Sequence, residues 1–356
     1  MYKISFLGNF EVVPKIVEYI LNNDIVHLEE EYQNGWDIND EILLEEDIAE
    51  TPLTIALACH LEKVVLWLLE KGVKVKSKKK EIMGPISCAG RFASPDICEK
   101  LIEKGALDNL SKEQLYRIYE DIYYGKNFKN IEVFEKYGVS VQKYGNNCLR
   151  QAVFNQDKDV AKLFLDYGAN INYHEHSMVF SDNATPLIIA ASKNNVDLCK
   201  WLVENGADVT IKSKYGDRPY TIALHNKNEE LMAYFKGLEP EEFHGKEVRK
   251  SIIKDYKLSK SMIEFFEANN LKIEFSGRLN INYIKFYKLE DTVPMTFKRK
   301  KYLSLLEEVD NYWFDLLWNP KEKSLYIFDP EHEELYFVGD FETFIQEPEA
   351  MFEKLF

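Results

Sequence analysis

A glycine recurs every 33 residues, at Gly72, Gly105 and Gly138, and a chain that repeats at that interval is made of stacked units rather than one core. The unit is clearest from Ala184 to Thr210. Thr185-Pro186-Leu187 opens a short helix there, with Pro186 in the first turn, where its missing N–H has no helical partner to lose. Ala190 and Ala191 leave room for a neighbouring helix. After a polar turn at Lys193 to Asn195, Val196, Leu198, Cys199, Leu202 and Val203 form an apolar stripe at helical spacing. Gly206 then ends the helix in the left-handed conformation that costs glycine least. One such hairpin cannot bury its apolar face alone, so neighbours must stack on it.

The rest of the chain supplies them. Thr51-Pro52-Leu53-Thr54-Ile55-Ala56 opens a second clear unit that closes at Gly72, and Gly84-Pro85-Ile86-Ser87-Cys88-Ala89 opens a weaker one that closes at Gly105. Val12 to Leu21 and Asp24 to Gln33 read as a terminal helix pair, followed by an acidic loop at Glu41 to Glu50. Ser111 to Val139 keeps the helix pair without the opening motif, Asn147 to Asn172 restores it in part, and Gly216 to Ala223 opens a last unit. These segments resemble ankyrin repeats. The resemblance implies an α-solenoid over residues 1–237, of about six to seven repeats with degenerate terminal and middle members.

Beyond Gly237-Leu238-Glu239-Pro240 the pattern changes. Ser251 to Asn269 reads as helical, and Leu271 to Phe275 and Ile281 to Leu289 alternate as half-buried strands do. Tyr312 to Trp318, Ser324 to Asp329 and Leu335 to Val338 are further strands, and Phe341 to Phe356 is a closing helix. The expected fold class is therefore mainly α: an ankyrin-repeat α-solenoid followed by a smaller α+β domain at 238–356. Lys257 to Asn270, Ile284 to Glu290, and Trp313-Phe314 with Tyr326 to Asp329 and Phe341 to Ile345 resemble the SUKH superfamily. Ser259 stands where that family has proline, Asn270 where it has glycine, and its glycine-rich hairpin is absent.

Ankyrin repeats imply a protein partner held on hairpin fingers and first-helix faces. Taken with the SUKH resemblance, they imply a bacterial immunity-type protein that occludes a cognate toxin. The chain carries 45 Lys and Arg against 60 Asp and Glu, a formal charge of -15, which repels phosphate backbones and attracts basic proteins such as a nuclease. Nucleic acid is thus not an expected partner. A general adaptor without a toxin partner, or a sensor or enzyme in the C-terminal domain, are the alternatives. No apolar run reaches a membrane span and the first residues lack a signal-peptide core, so a cytoplasmic protein without membrane contact is expected. The oligomeric state is left open.

No phosphate-cradling glycine loop, nucleophile elbow or ligand set is found, so no enzyme activity, cofactor or metal is expected. Five cysteines with no Cys-x-x-Cys spacing argue against disulfides; Cys98 and Cys199 each precede a repeat glycine by seven residues and read as small buried hydrophobes. His174-Glu175-His176 puts two imidazoles on one side of a strand but offers no further ligand. Glu331-His332-Glu333-Glu334 reads as a charged turn. Lys298-Arg299-Lys300-Lys301 reads as an exposed loop, and Tyr312-Trp313-Phe314 with Trp318 as core. Two connections are unusually long, a basic one at Lys74 to Met83 and an aromatic one at Tyr173 to Asn183. The expected partner-binding residues are Tyr173, His174, Glu175, His176, Phe180 and Asp182 on the second of these, with Tyr215 and Arg218 on the next repeat, because aromatic and Arg anchors dominate interface energies.

Overall fold

The structure is a computed structural model, and it describes residues 1–76, 83–276, 281–311 and 314–353. The chain divides into two compact bodies, Met1–Ala152 with Asp159–Asn170, and Val153–Lys158 with Ile171–Phe356.

The first body starts with a hairpin, β1 (Tyr2–Ile4) and β2 (Gly8–Phe10), that the sequence reading did not anticipate. The terminal helix pair follows as α1 (Lys15–Leu21) and α2 (Ile25–Gln33). The expected acidic loop is instead a second hairpin, β3 (Ile42–Glu45) and β4 (Ile48–Glu50). Its strand character lies in Ile42 and Leu44, which alternate inward while Leu43 and Glu45 face solvent. Then come α3 (Pro52–Ala58), α4 (Glu62–Glu70), α5 (Pro85–Phe92), α6 (Pro95–Glu103), α7 (Lys112–Gly125), α8 (Ile131–Lys136), α9 (Val141–Tyr144), α10 (Asn146–Phe154) and α11 (Lys158–Asp166).

The opening motif works as read. Thr51 Oγ1 accepts from the Thr54 N–H at 3.2 Å, capping α3, and Pro52 occupies the first turn. Where that motif is lost, other chemistry replaces it. Ser111 and Gln114 form a reciprocal capping box at the start of α7. Asp121 of α7 is fully buried and accepts from Ser87 at 2.5 Å, Arg117 at 3.0 Å and Arg91 at 3.4 Å. Burial raises its pKa, outweighing the hydrogen bonds and the two guanidinium groups. A side-chain link also spans successive units: the Asn39 carbonyl accepts from the Lys74 N–H at 2.8 Å.

The second body repeats that link, with the Asn172 carbonyl accepting from the Asp208 N–H at 2.8 Å. It holds the clean repeat, α12 (Pro186–Ser192) and α13 (Val196–Glu204), and the last one, α14 (Pro219–His225) and α15 (Glu229–Lys236). Thr185 caps α12 as Thr51 caps α3. Cys98 and Cys199 are fully buried free thiols, each pushed up to about 12 by desolvation.

The remaining α+β region is antiparallel. The single expected helix at Ser251 to Asn269 is two, α16 (Gly245–Asp255) and α17 (Lys260–Phe266), because Ser259 caps the second by accepting from the Met262 N–H. One sheet has three strands, β5 (Lys272–Glu274), β6 (Tyr283–Phe286) and β9 (Leu306–Val309), in the order β5-β6-β9. The other has five: β7 (Val293–Phe297), β8 (Lys300–Ser304), β10 (Asp315–Asn319), β11 (Ser324–Asp329) and β12 (Glu334–Gly339), in the order β12-β11-β10-β8-β7. Strands β7, β8 and β9 were not foreseen, and Lys300 and Lys301 begin β8 rather than extending a loop. The closing helix is split by Pro348 into α18 (Phe341–Gln346) and α19 (Pro348–Glu353).

Phe266, Phe286, Leu316, Phe341, Phe344 and Phe352 form the core between helices and sheets. Trp318 is buried as expected and donates its indole N–H to the Tyr256 carbonyl at 2.8 Å. Tyr312 and Trp313 lie outside the described residues; Phe314 is buried.

Candidate protein-interaction surface

The long connection from Tyr173 to Asn183 is a finger whose aromatic residues point inward. Tyr173 and Phe180 are buried, and Phe180 packs edge-on against Phe154 with ring centroids 6.4 Å apart. The expectation that these two residues face a partner is therefore corrected: with no second helix turn to shield this stretch, it needs its own apolar anchors to stay folded. Ser177 and Phe180 exchange backbone and hydroxyl hydrogen bonds across the bend. The His174 Nδ1 lies 2.8 Å from the Asn172 carbonyl and the His176 Nδ1 3.3 Å from the Ser181 carbonyl, so both rings face backbone acceptors. Tyr173 donates to Glu175 at 3.3 Å, and the Asp182 carboxylate accepts from the Ala184 N–H at 3.2 Å. His174, Glu175 and His176 share the solvent-facing side. At the tip, Met178 is 99 % exposed and Val179 63 %. Sequence reading passed over both. The available signal was an apolar pair in a polar stretch with no periodic partner to bury it.

The opening of the last repeat is used differently. Tyr215 and Arg218, expected to bind a partner, are engaged within the chain. The Tyr215 ring packs on Phe328 of β11 at 5.5 Å, beside Met295, Phe297, Tyr302 and Leu317. Its hydroxyl donates to Glu333 at 3.3 Å, and Lys214 pairs with the same carboxylate. Burial pushes the Tyr215 phenol up to about 12, while Lys214 and then Tyr215 help hold Glu333 below the usual carboxylate range. Gly216 has a φ of +90°, and a Cβ there would sit 2.2 Å from the Pro294 carbonyl oxygen of β7. Only glycine lets these backbones approach so closely.

Arg218 is buried and donates through Nε to Glu239 at 2.8 Å, with its guanidinium 4.6 Å from the Phe243 ring centroid. His244 Nε2 is 2.8 Å from the other Glu239 oxygen but outside hydrogen-bond geometry, and burial followed by Lys236 and Arg218 lowers its pKa. Further contacts join the last repeat to the sheets: Tyr220 to Asp291 at 3.4 Å and Lys227 to Glu308 at 2.5 Å. Arg218 and Tyr215 are thus corrected from partner anchors to internal ones. The eight candidate residues fall on two adjacent fingers, but only His174, Glu175 and His176 are largely solvent-facing.

Other constellations resolve plainly. Among the described residues no group of three or more His, Cys, Asp or Glu is arranged to hold a metal ion. Glu331 to Glu334 is a turn, in which the Asp329 carboxylate accepts from the Glu331 and His332 N–H groups and the His332 ring. Asp329 in turn raises the His332 pKa. The acidic stretch from Asp329 to Glu349 includes edge strand β12, which exposes Tyr336 and Phe337. Of the basic connection at Lys74 to Met83, residues 77–82, with Lys78, Lys79 and Lys80, lie outside the described residues. Among the described residues no helix is long and apolar enough to cross a membrane.

Helical hairpins with Thr-Pro openings, left-handed glycine ends and inter-repeat asparagine links are ankyrin repeats, a class that mediates protein–protein interaction. A family model described as ankyrin repeats, in three copies, matches residues 149–241. The chain is 25 % identical over 177 residues to the transient receptor potential cation channel subfamily A member 1 of Homo sapiens, covering 48 % of this chain and 16 % of the channel. It is 26 % identical over 188 residues to the putative ankyrin repeat protein FPV031 of Fowlpox virus, covering 51 % and 45 %. Among curated relatives that it matches, the chain spans from 7 % to 60 % of their length. The crystal structure of the ankyrin repeat domain of Bcl-3 aligns over 63 % of this chain and all of that one, with 18 % identity and a TM-score of 0.48, too loose a likeness to argue from. The family match ends at residue 241, so the SUKH likeness of the α+β region rests on the sequence resemblance alone.

Proposed function

We propose that this chain is a non-enzymatic, cytoplasmic binding protein that holds a basic protein partner on the finger side of its ankyrin repeats, with the 173–183 finger as the leading contact. One observation carries the reading. Met178 and Val179 stand exposed at the end of a loop whose own buried aromatics, Tyr173 and Phe180, fix its base. A pre-fixed loop with an apolar tip loses little conformational entropy when it docks. His174, Glu175, His176 and Asp182 flank that tip as the polar rim, and the formal charge of -15 favours a basic partner.

A more specific form of this reading is an immunity-type protein that occludes a basic toxin or nuclease. It draws on the acidic charge and on the SUKH resemblance. The test is affinity capture from native lysate with the wild-type chain and the Met178→Asp/Val179→Asp variant in parallel, at low and high salt. The expected result is one basic protein retained by wild type, lost by the variant and released as salt rises; if it is a toxin, the purified chain inhibits it. Equal capture by both chains, with unchanged circular dichroism, would remove the finger from the binding surface.

A further inference from the structure

On this acidic chain, three turns of the α+β region bring cations together around one surface pocket of about 360 Å³. Its lining comprises Lys257 beyond α16, Arg299, Lys300 and Lys301 from the β7–β8 hairpin, and Lys321 with Asn319 from the β10–β11 turn; Asp255 is the one carboxylate. Lys300 is paired with Glu322 at 2.8 Å. Lys257, Arg299, Lys301 and Lys321 have no ion-pair partner among the described residues. Charges of one sign gathered around one pocket repel one another.

The backbone adds a second, independent observation. The β7–β8 hairpin turns through Lys298 and Arg299, with φ of 46° and 65°. Two-residue turns of this hand favour Asn-Gly, and side chains larger than these adopt them at a cost. Lys257 is also left-handed, with φ of 49°. Of these three left-handed cations, Arg299 and Lys257 line the pocket, while the Lys298 ammonium reaches the Glu333 carbonyl at 3.4 Å. The Asn319 side chain accepts from the Lys321 and Glu322 N–H groups at 3.0 and 3.1 Å, which fixes the third turn at the pocket wall.

We infer that this pocket binds a small anion with clustered phosphates. Four unpaired cations match a ligand of several negative charges, Arg299 offers a fork suited to phosphate oxygens, and the volume suits a small molecule. The site is separate from the 173–183 finger and does not depend on its role.

The probe is inorganic tripolyphosphate, titrated into the full-length chain by calorimetry at low salt, with sulfate as the simple-anion comparison. Saturable binding near one equivalent is expected, tighter than sulfate and weakening as salt rises. The Lys257→Gln/Arg299→Gln variant should bind about tenfold more weakly or worse, while Lys158→Gln/Lys193→Gln, which removes two cations elsewhere, should bind as wild type. Thermal melts establish that both variants are folded. Absence of saturable binding, or equal weakening in both variants, would overturn the site. So would a salt-sensitive dimer in sedimentation that phosphate does not dissociate, because the cations would then be meeting the acidic face of a second copy.

Discussion

The two successive fingers of the second body, residues 173–183 and 211–218, are put to opposite uses. The second is consumed in cis: Tyr215 packs on Phe328, Gly216 touches the Pro294 carbonyl, and Arg218 is buried against Glu239. The first keeps its aromatic anchors for itself and leaves Met178 and Val179 in solvent. In this chain the anchor-type residues read from sequence, Tyr173, Phe180, Tyr215 and Arg218, mark where each finger is held. The available contact is the Met178–Val179 pair, which the described residues leave largely uncovered.

The largest way to break the contrast is Arg218→Ala. It leaves Glu239 buried without its cation, and removing one partner of a buried pair costs about 3–5 kcal/mol. Burial already pushes the Glu239 pKa up with Arg218 present, so urea unfolding of the variant should show a large loss of stability. Gly216→Ala comes next: overlap with the Pro294 carbonyl costs about 1–3 kcal/mol and the left-handed backbone about 1–2 more. The same change at an open, unapproached glycine such as Gly206 should cost only the backbone share.

A pH experiment tests the second finger from another side. Asp315 of β10 is pushed up to about 7, first by burial and also by Asp217 of the second finger, against hydrogen bonds from Ser304 and the Leu316 and Leu306 N–H groups. Asp217 is itself raised by burial, with Asp182 adding to the shift and His225, Thr221 and Ser213 opposing it. Because Asp315 is protonated in the fold while ionised in the unfolded chain between roughly pH 4 and 7, its contribution to stability falls as pH rises through that window. Asp315→Asn removes the titration. Its stability relative to wild type should rise by up to about 1.4 kcal/mol per pH unit across the window and level off above it. A constant difference from pH 4 to 8 would show that Asp315 titrates normally.

The smallest effect on stability sharpens the comparison most. Met178→Asp/Val179→Asp should shift unfolding by less than about 0.5 kcal/mol, as exposed substitutions do, while removing partner capture. A large loss of stability would make the first finger as internal as the second.

Much of the fold was legible because its signals are local. The Thr-Pro openings, the glycine spacing and the 3.6-residue stripes each act within one turn or one hairpin, and α3, α4, α12 and α13 fall where they point. The middle repeat around α7 was legible only as a helix pair, since Ser87, Arg91 and Arg117 reach Asp121 across helices and leave no fixed-spacing trace. Strands β7 to β9 were missed because Pro294 and the Lys298 to Lys301 run masked the alternation of buried Val293, Met295 and Phe297. At the candidate surface, His174, Glu175 and His176 face solvent as expected of a contact surface, whereas Tyr173, Phe180, Tyr215 and Arg218 turn inward. Whether Phe180, Tyr215 and Arg218 face in or out depends on Phe154, Phe328 and Glu239, which lie 21 or more residues away.

The approach of Gly216 to Pro294 also bears on how such a chain can change over generations. Repeat arrays lengthen and shorten by duplicating or deleting whole units. Here the last unit is fitted to β7 and β11 through a contact no other residue type tolerates, so the α+β region and its adjoining repeat must be inherited together. A new unit spliced between α15 and α16 would leave Tyr215 and Phe328 facing solvent. Variation in array length among descendants of this chain should therefore accumulate upstream of α14, and a gene fusion that carried the α+β region elsewhere would have to bring that last repeat with it.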